Sequence, residues 1–236
     1  MQKFWNWAKG ADGKGILRIE QEIVQEPNWW DGSGDTPKAF REELEAQGGR
    51  DIDLWINSPG GDVFAGASIY TMLKAYEGHV TVKVDGLAAS AASVISMAGD
   101  VILMSPPSNM MIHRAWTWLM GNCNDLERAK AQLAEVDEAM IATYMLKTKK
   151  PREEIVSLMD AETFMSPAKA MELGFADGVL FMDRTDGEIA PAACVLTPKG
   201  IYAYAGRRMD EKPDPEREVR ARIVEEAKRA LGMINK

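Results

Sequence analysis

Asp85-Gly86-Leu87-Ala88-Ala89-Ser90-Ala91-Ala92-Ser93-Val94-Ile95-Ser96-Met97-Ala98-Gly99 is the stretch whose reading decides the fold. A β-branched run, Val80 to Val84, enters it, and an apolar run of helical length leaves it. Gly86 is expected to mark the tight bend between the two. Ala88, Ala89, Ala91 and Ala92 crowd around one hydroxyl, Ser90, at the helix start. The first amides of a helix have no intrahelical partner, and the positive end of the macrodipole lies there. A hydroxyl at that point can be an N-cap, or a nucleophile whose developing oxyanion meets free N–H groups. The cap is the commoner role, so the rest of the chain has to choose between them.

Outward from this stretch, β-like and helix-like segments alternate from residue 16 to 181, which implies α/β layers. On the N-terminal side, residues 1–13 read as a flexible leader, and residues 15–24 read as a strand. Thr36 can cap a helix that has Pro37 at its first position and Phe40 and Leu44 on its apolar face. Ile52, Leu54 and Ile56 alternate with Asp53 and Trp55 as in a half-buried strand. Asn57-Ser58-Pro59-Gly60-Gly61-Asp62 then reads as a strand-to-helix turn, whose paired glycines permit close backbone approach. A helix follows, from Phe64 to Tyr76.

On the C-terminal side, Val101 to Met104 and Asn109 to Ile112 read as short strands, and His113 ends the second. Asn122 to Lys150 is one long helical pattern, with Asn124 and Glu127 resembling a capping box. Pro151 opens another helix, Asp160 to Met165 reads as extended, and Ser166-Pro167 starts a helix stopped by Gly174. Val179 to Phe181 reads as a last strand. The domain is expected to span 14–184, followed by an extension, 185–236, whose amphipathic helix begins at Asp214-Pro215.

Composition narrows the chemistry. The chain has 236 residues, 46% hydrophobic and 27% charged, with a net charge of −8. That acidity disfavours nonspecific nucleic-acid binding. No apolar run reaches the roughly 20 residues of a membrane span, and the N-terminus lacks a secretory-type apolar core. The two cysteines, Cys123 and Cys194, form no CxxC and read as free thiols of a reducing compartment. Nothing resembles a P-loop or His-Glu-x-x-His, no metal or cofactor is implied, and no Gly-x-Ser-x-Gly elbow is present.

Only two histidines are available, His79 and His113. His79 lies in a polar connection, whereas His113 sits at a strand end, where α/β folds place site residues. Ser90, His113 and a carboxylate therefore make a candidate triad of nucleophile, base and orienting acid.

Four ordered motifs carry a resemblance. They are Ile56 to Gly61, Gly86 to Ser90, Met111-Ile112-His113, and Phe164-Met165-Ser166-Pro167 through Gly174-Phe175-Ala176-Asp177. Together they resemble the Clp-type serine peptidases over roughly residues 14–182. The segment Trp116 to Tyr144 looks more like the branch of phage head maturation (prohead) proteases. The resemblance implies a crotonase/Clp-protease-like fold of repeated ββα units, with residues 124–148 as a long handle helix. It implies Ser90 as nucleophile, His113 as base, and the Gly61 and Ala91 N–H groups as the oxyanion hole. The family's acid is an Asp; the aligned position here is Glu162, with Asp160 as the alternative.

The function so implied is ATP-independent serine endoproteolysis of capsid and scaffold proteins during head maturation. The setting would be a homo-oligomeric ring in the host cytoplasm or the procapsid interior, with no nucleic-acid or membrane partner. Three alternatives stand beside it: a housekeeping Clp-like subunit working with an unfoldase, a catalytically silent assembly scaffold, and an acyl-CoA enzyme of the same superfold.

Overall fold

A computed structural model describes residues 3–24 and 37–181, together with the strands at 195–197, 200–203 and 207–208. In chain order the elements are β1 (Trp5–Lys9), β2 (Gly15–Ile19), α1 (Pro37–Glu45), β3 (Ile52–Ser58), α2 (Val63–Lys74), β4 (Val80–Ala89), α3 (Ala91–Ser96), β5 (Val101–Met104), β6 (Asn109–Ile112), α4 (Cys123–Thr148), α5 (Arg152–Asp160), β7 (Thr163–Met165), α6 (Pro167–Glu172), β8 (Gly178–Val179), β9 (Val195–Thr197), β10 (Gly200–Ala203) and β11 (Arg207–Arg208).

An eight-stranded sheet runs β1-β2-β3-β4-β5-β8, with β6 branching from β4 and β7 pairing with β6. Pairing is parallel from β2 to β5 and on to β8, and antiparallel at β1 and β7. Parallel strands need crossover connections, and the helices supply them. The alternation read from the sequence is the burial pattern observed: Ile52, Leu54 and Ile56 are fully buried, while Asp53 and Trp55 face the other side. Leu17, Val82, Val84, Ile102 and Met104 join them in one core with Ile69, Ile95 and Tyr144 from the helices. Each such side chain contributes roughly 1.5–3 kcal/mol by leaving water. The opposite face carries a smaller cluster of Val101, Leu103 and Leu180 against Trp55. This is the α/β, Clp-protease-like architecture expected.

Three local expectations change. Residues 1–13 read as a flexible leader, yet β1 pairs along its whole length with β2. Phe4 and Trp5 are buried, and Trp5 meets Phe40 edge-on at 5.4 Å and donates its indole N–H to Glu43 Oε2 at 2.8 Å. An aromatic pair of this kind is worth about 0.5–1.5 kcal/mol beyond the area it buries. Gly86 makes no bend: β4 runs through it to Ala89. It is small because a Cβ there would stand 2.4 Å from Asn57 Oδ1, whose side chain also accepts the Leu87 N–H at 3.1 Å. Asn57 thereby bridges the register shift between β3 and β4. The capping box of α4 uses Asn122 and Asp125, not Asn124 and Glu127, because the helix begins two residues earlier than that reading requires.

The first half of α4 projects from the body: of its residues only Asp137, Met140, Ile141 and Tyr144 are buried. The Thr36 cap and the helix expected from Asp214 lie outside the described residues. Among the described residues no helix is long and apolar enough to cross a membrane.

Candidate active site

Strand β4 delivers Ser90 by changing partners. Its first half pairs with β3 and β5; from Leu87 to Ala89 it pairs with β6, which ends one residue before His113. The Ser90 N–H donates to Met111 O at 3.0 Å and locks the two strand ends together. Ser90 occupies the N-cap position of α3, yet its side chain makes no capping bond. Its Oγ instead lies 2.8 Å from His113 Nε2. With the ring protonated at Nδ1, the hydroxyl donates and Nε2 accepts. Ser90 has φ 53° and ψ −124°, a conformation sparsely populated by residues with a Cβ. That backbone turns the hydroxyl away from its own helix, so the cap role is excluded by geometry.

The paired glycines are held against this serine. A Cβ on Gly60 (φ 97°) would stand 2.6 Å from Ala89 O and 2.7 Å from Ser90 Cβ. A Cβ on Gly61 (φ 141°) would stand 2.2 Å from Ile23 O. The loop is braced from both sides: Ile23 N–H donates to Gly60 O at 2.8 Å, and Asp62 N–H donates to Ile23 O at 2.7 Å. Ser58 Oγ accepts the Gly60 N–H and donates to Gln21 O. Among the described residues the Gly61 and Ala91 amides have no acceptor, and Ala91 is the first residue of α3. Gly61 and Ser90 line one cleft of about 840 Å³ between α2 and α4, walled by Phe64, Tyr70, Trp116 and Met140.

Glu162 and Asp160 are placed differently. β6 and β7 pair with Ile112 opposite Thr163, so one further step would set Glu162 opposite His113. The Glu162 side chain is exposed, its φ is 45°, and it makes no hydrogen bond to His113. Asp160 Oδ1 accepts from Arg114 Nε at 2.6 Å. The guanidinium holds the Asp160 carboxyl below the usual carboxylate range, chiefly through that hydrogen bond. Arg114 also donates to Asp137 Oδ2 at 3.2 Å, and Asp137 Oδ1 accepts the Ala115 N–H at 2.8 Å. The buried Asp137 of α4 thus grips the two residues that follow His113.

These grips were missed by the sequence reading. Their one signal is a carboxylate, Asp137, beside the apolar stripe of Val136, Met140 and Tyr144. His79, in the polar connection before β4, is half-exposed, and its Nδ1 lies 3.3 Å from Asp100 Oδ2. Among the described residues no cluster of three or more His, Cys, Asp or Glu side chains could hold a metal ion.

Comparison with known proteins gives the lineage. The Clp protease family model matches residues 43–183 of the 236. The chain is 33% identical over 137 residues to an "ATP-dependent Clp protease proteolytic subunit" of Deinococcus radiodurans, covering 57% of this chain and 67% of that protein. It is 33% identical over 141 residues to the protein of the same name in Porphyromonas gingivalis, covering 59% and 64%. Each match thus spans about two thirds of the relative's length. The "ATP-dependent Clp protease proteolytic subunit 1" of Chlamydia caviae is 31% identical over 172 residues, 71% of this chain and 90% of that protein. None of these relatives points to the phage head maturation branch. With more than half of its length matched by the family model, this chain belongs to the Clp protease family.

Proposed function

We propose that the chain is a serine endopeptidase with Ser90 as nucleophile and His113 as base. The observation that carries this reading is the 2.8 Å contact between Ser90 Oγ and His113 Nε2, made by a helix-start serine that does not cap its helix. His113 Nε2 takes the hydroxyl proton as Ser90 Oγ bonds to a peptide carbonyl carbon. The carbonyl oxygen becomes an oxyanion beside the Gly61 and Ala91 N–H groups, a stabilisation for which one donor is typically worth about 10²–10³-fold. His113 then gives its proton to the leaving amine, and the acyl group remains on Ser90. Water, deprotonated by the same ring, attacks the ester, and the proton returns to Ser90. Glu162 is the acid we assign to orient the imidazole, because the β6–β7 register leads toward it and the Asp160 carboxylate is engaged by Arg114.

The relatives are named as ATP-dependent proteolytic subunits, which favours a Clp-type subunit supplied with substrate by an ATP-driven unfoldase. Trp116, Trp118 and Met120 are 75%, 81% and 85% exposed beside the projecting half of α4, which suits assembly with further copies. Cleavage of capsid and scaffold proteins is the second reading; its support is the phage-like segment Trp116 to Tyr144. Co-purification with a ring ATPase favours the first reading, and cleavage of co-expressed scaffold without ATP the second.

A fluorophosphonate probe with mass-spectrometric mapping tests the chemistry. Labelling at Ser90 that His113→Ala abolishes is the expected result. An intact protein unlabelled at Ser90 overturns the assignment and leaves the scaffold reading. Turnover of an acyl-CoA thioester in place of peptides would favour the acyl-CoA alternative.

A further inference from the structure

We infer that Tyr144 and Ser93 form a positioning pair that holds Ser90 in its strained backbone conformation. The inference rests on the serine-peptidase reading above. A sparsely populated backbone conformation persists only where its surroundings over-determine it. At Ser90 the surroundings converge on its carbonyl oxygen. That oxygen accepts the Ser93 N–H at 2.9 Å, the Val94 N–H at 3.3 Å and the Ser93 hydroxyl at 2.6 Å. The first two bonds are the ordinary opening of a helix; the third is additional.

The hydroxyl's own partner gives it a direction. Ser93 Oγ lies 2.8 Å from Tyr144 Oη, and both side chains are fully buried. A serine hydroxyl has one proton, and here it goes to Ser90 O. Tyr144 must then donate to Ser93 Oγ. Burial pushes the phenol well above its ordinary range, so that proton is always present. The relay runs from Tyr144 Oη through Ser93 Oγ to Ser90 O, and it links α4 to the nucleophile.

A serine that bonds back to a carbonyl three or four residues earlier is often only a local helix feature. Ser96, Thr143 and Thr148 do that here, to Ala92, Ala139 and Tyr144. Ser93 differs twice: its acceptor belongs to the strained residue, and its oxygen is itself fixed by a buried phenol from another helix. Asp137, two turns before Tyr144 on α4, meanwhile grips Ala115 beyond His113. One helix therefore braces both sides of the Ser90–His113 contact.

The test uses the full chain and a fluorophosphonate probe, reading the maximal labelling rate and the half-saturating probe concentration separately. Tyr144→Phe and Ser93→Ala are each expected to lower the maximal rate about tenfold, with half-saturation within about twofold. The double variant is expected to be no slower than Ser93→Ala alone, because Tyr144 acts only through Ser93. A full labelling rate in Tyr144→Phe overturns the inference, as does an equal loss from Tyr144→Phe in the Ser93→Ala background, or a change confined to half-saturation. If Ser93→Ala does not fold, as judged by thermal unfolding, Tyr144→Phe carries the test, since it keeps the ring. An unmodified chain that is not labelled at Ser90 overturns the peptidase reading itself, and the inference with it.

Discussion

Arg114 Nε donates to Asp160 Oδ1 at 2.6 Å, so the residue after His113 is tied to the last residue of α5. The Asp160 carboxyl sits below its ordinary value because of this bond. A carboxyl held low stabilises the fold above its unfolded value, and the effect is lost as pH falls through the folded value. The gap in melting temperature between the natural chain and Asp160→Asn is therefore expected to be constant from neutral pH to about pH 5. It should shrink below about pH 4, where carboxylates protonate. Thermal scans across this range check it; an undiminished gap at about pH 3 would falsify the assignment of the shift to this pair.

The two candidate acids predict opposite mutant rankings. Asp160 is engaged by Arg114, whereas Glu162 lies one residue beyond the last β6–β7 pair on the His113 side. Glu162→Gln is expected to lower turnover by about 10²-fold or more, and Asp160→Asn by no more than about threefold, given that loss of a triad acid can cost about 10⁴-fold. Steady-state kinetics decide, and the reverse order would transfer the role to Asp160.

Asp137 is a buried carboxylate with both oxygens occupied. Asp137→Asn keeps its shape but removes the charge from the Arg114 contact. It is expected to cost about 1–3 kcal/mol in stability by loss of charge-assisted bonds. Turnover should fall while KM holds, because the segment behind His113 is loosened. Denaturant unfolding and kinetics on the same preparation measure both effects.

Gly60→Ala confronts two obstacles at once: a φ of 97° and atoms 2.6 and 2.7 Å from the new Cβ. The expected loss is about 2 kcal/mol or more, from backbone strain and overpacking together. Because one of those atoms is Ser90 Cβ, fluorophosphonate labelling should fall further than stability does. Retention of the full labelling rate would show that the serine tolerates displacement.

Trp5→Ala distinguishes a leader from a strand of the domain. Trp5 is 2% exposed and packs edge-on against Phe40. Its truncation is expected to destabilise the chain by about 3–5 kcal/mol. A midpoint in denaturant unchanged from that of the natural chain would mean that β1 contributes nothing.

Much of the frame was legible because its causes are local. Period-two alternation from Ile52 to Ile56 turns one face of β3 inward. Ser166 caps α6 through the Lys169 N–H, with Pro167 at its first position, and Gly174 ends that turn with φ 80°. The pairing of Ser90 with His113 was legible for a different reason. Few histidines were available, and one stood at a strand end in a familiar order of motifs.

What the amino-acid order alone determined is thus most of the elements from β2 to β8, the face each turns inward, and which hydroxyl and imidazole meet. Tertiary structure decided how their surroundings are built, because the deciding contacts join residues far apart in the chain. Gly86 reads as a turn but is a gap for Asn57. Residues 5–9 read as a leader until Phe40 and Glu43 receive Trp5. Ser90 taken by itself reads as either a cap or a nucleophile, and β6 brings His113 within 2.8 Å of it. Tyr144 reads as one more apolar residue of a helical stripe until its hydroxyl is seen to end on Ser93. A hydrogen bond depends on tenths of an ångström and on direction, and neither is written in spacing along a chain.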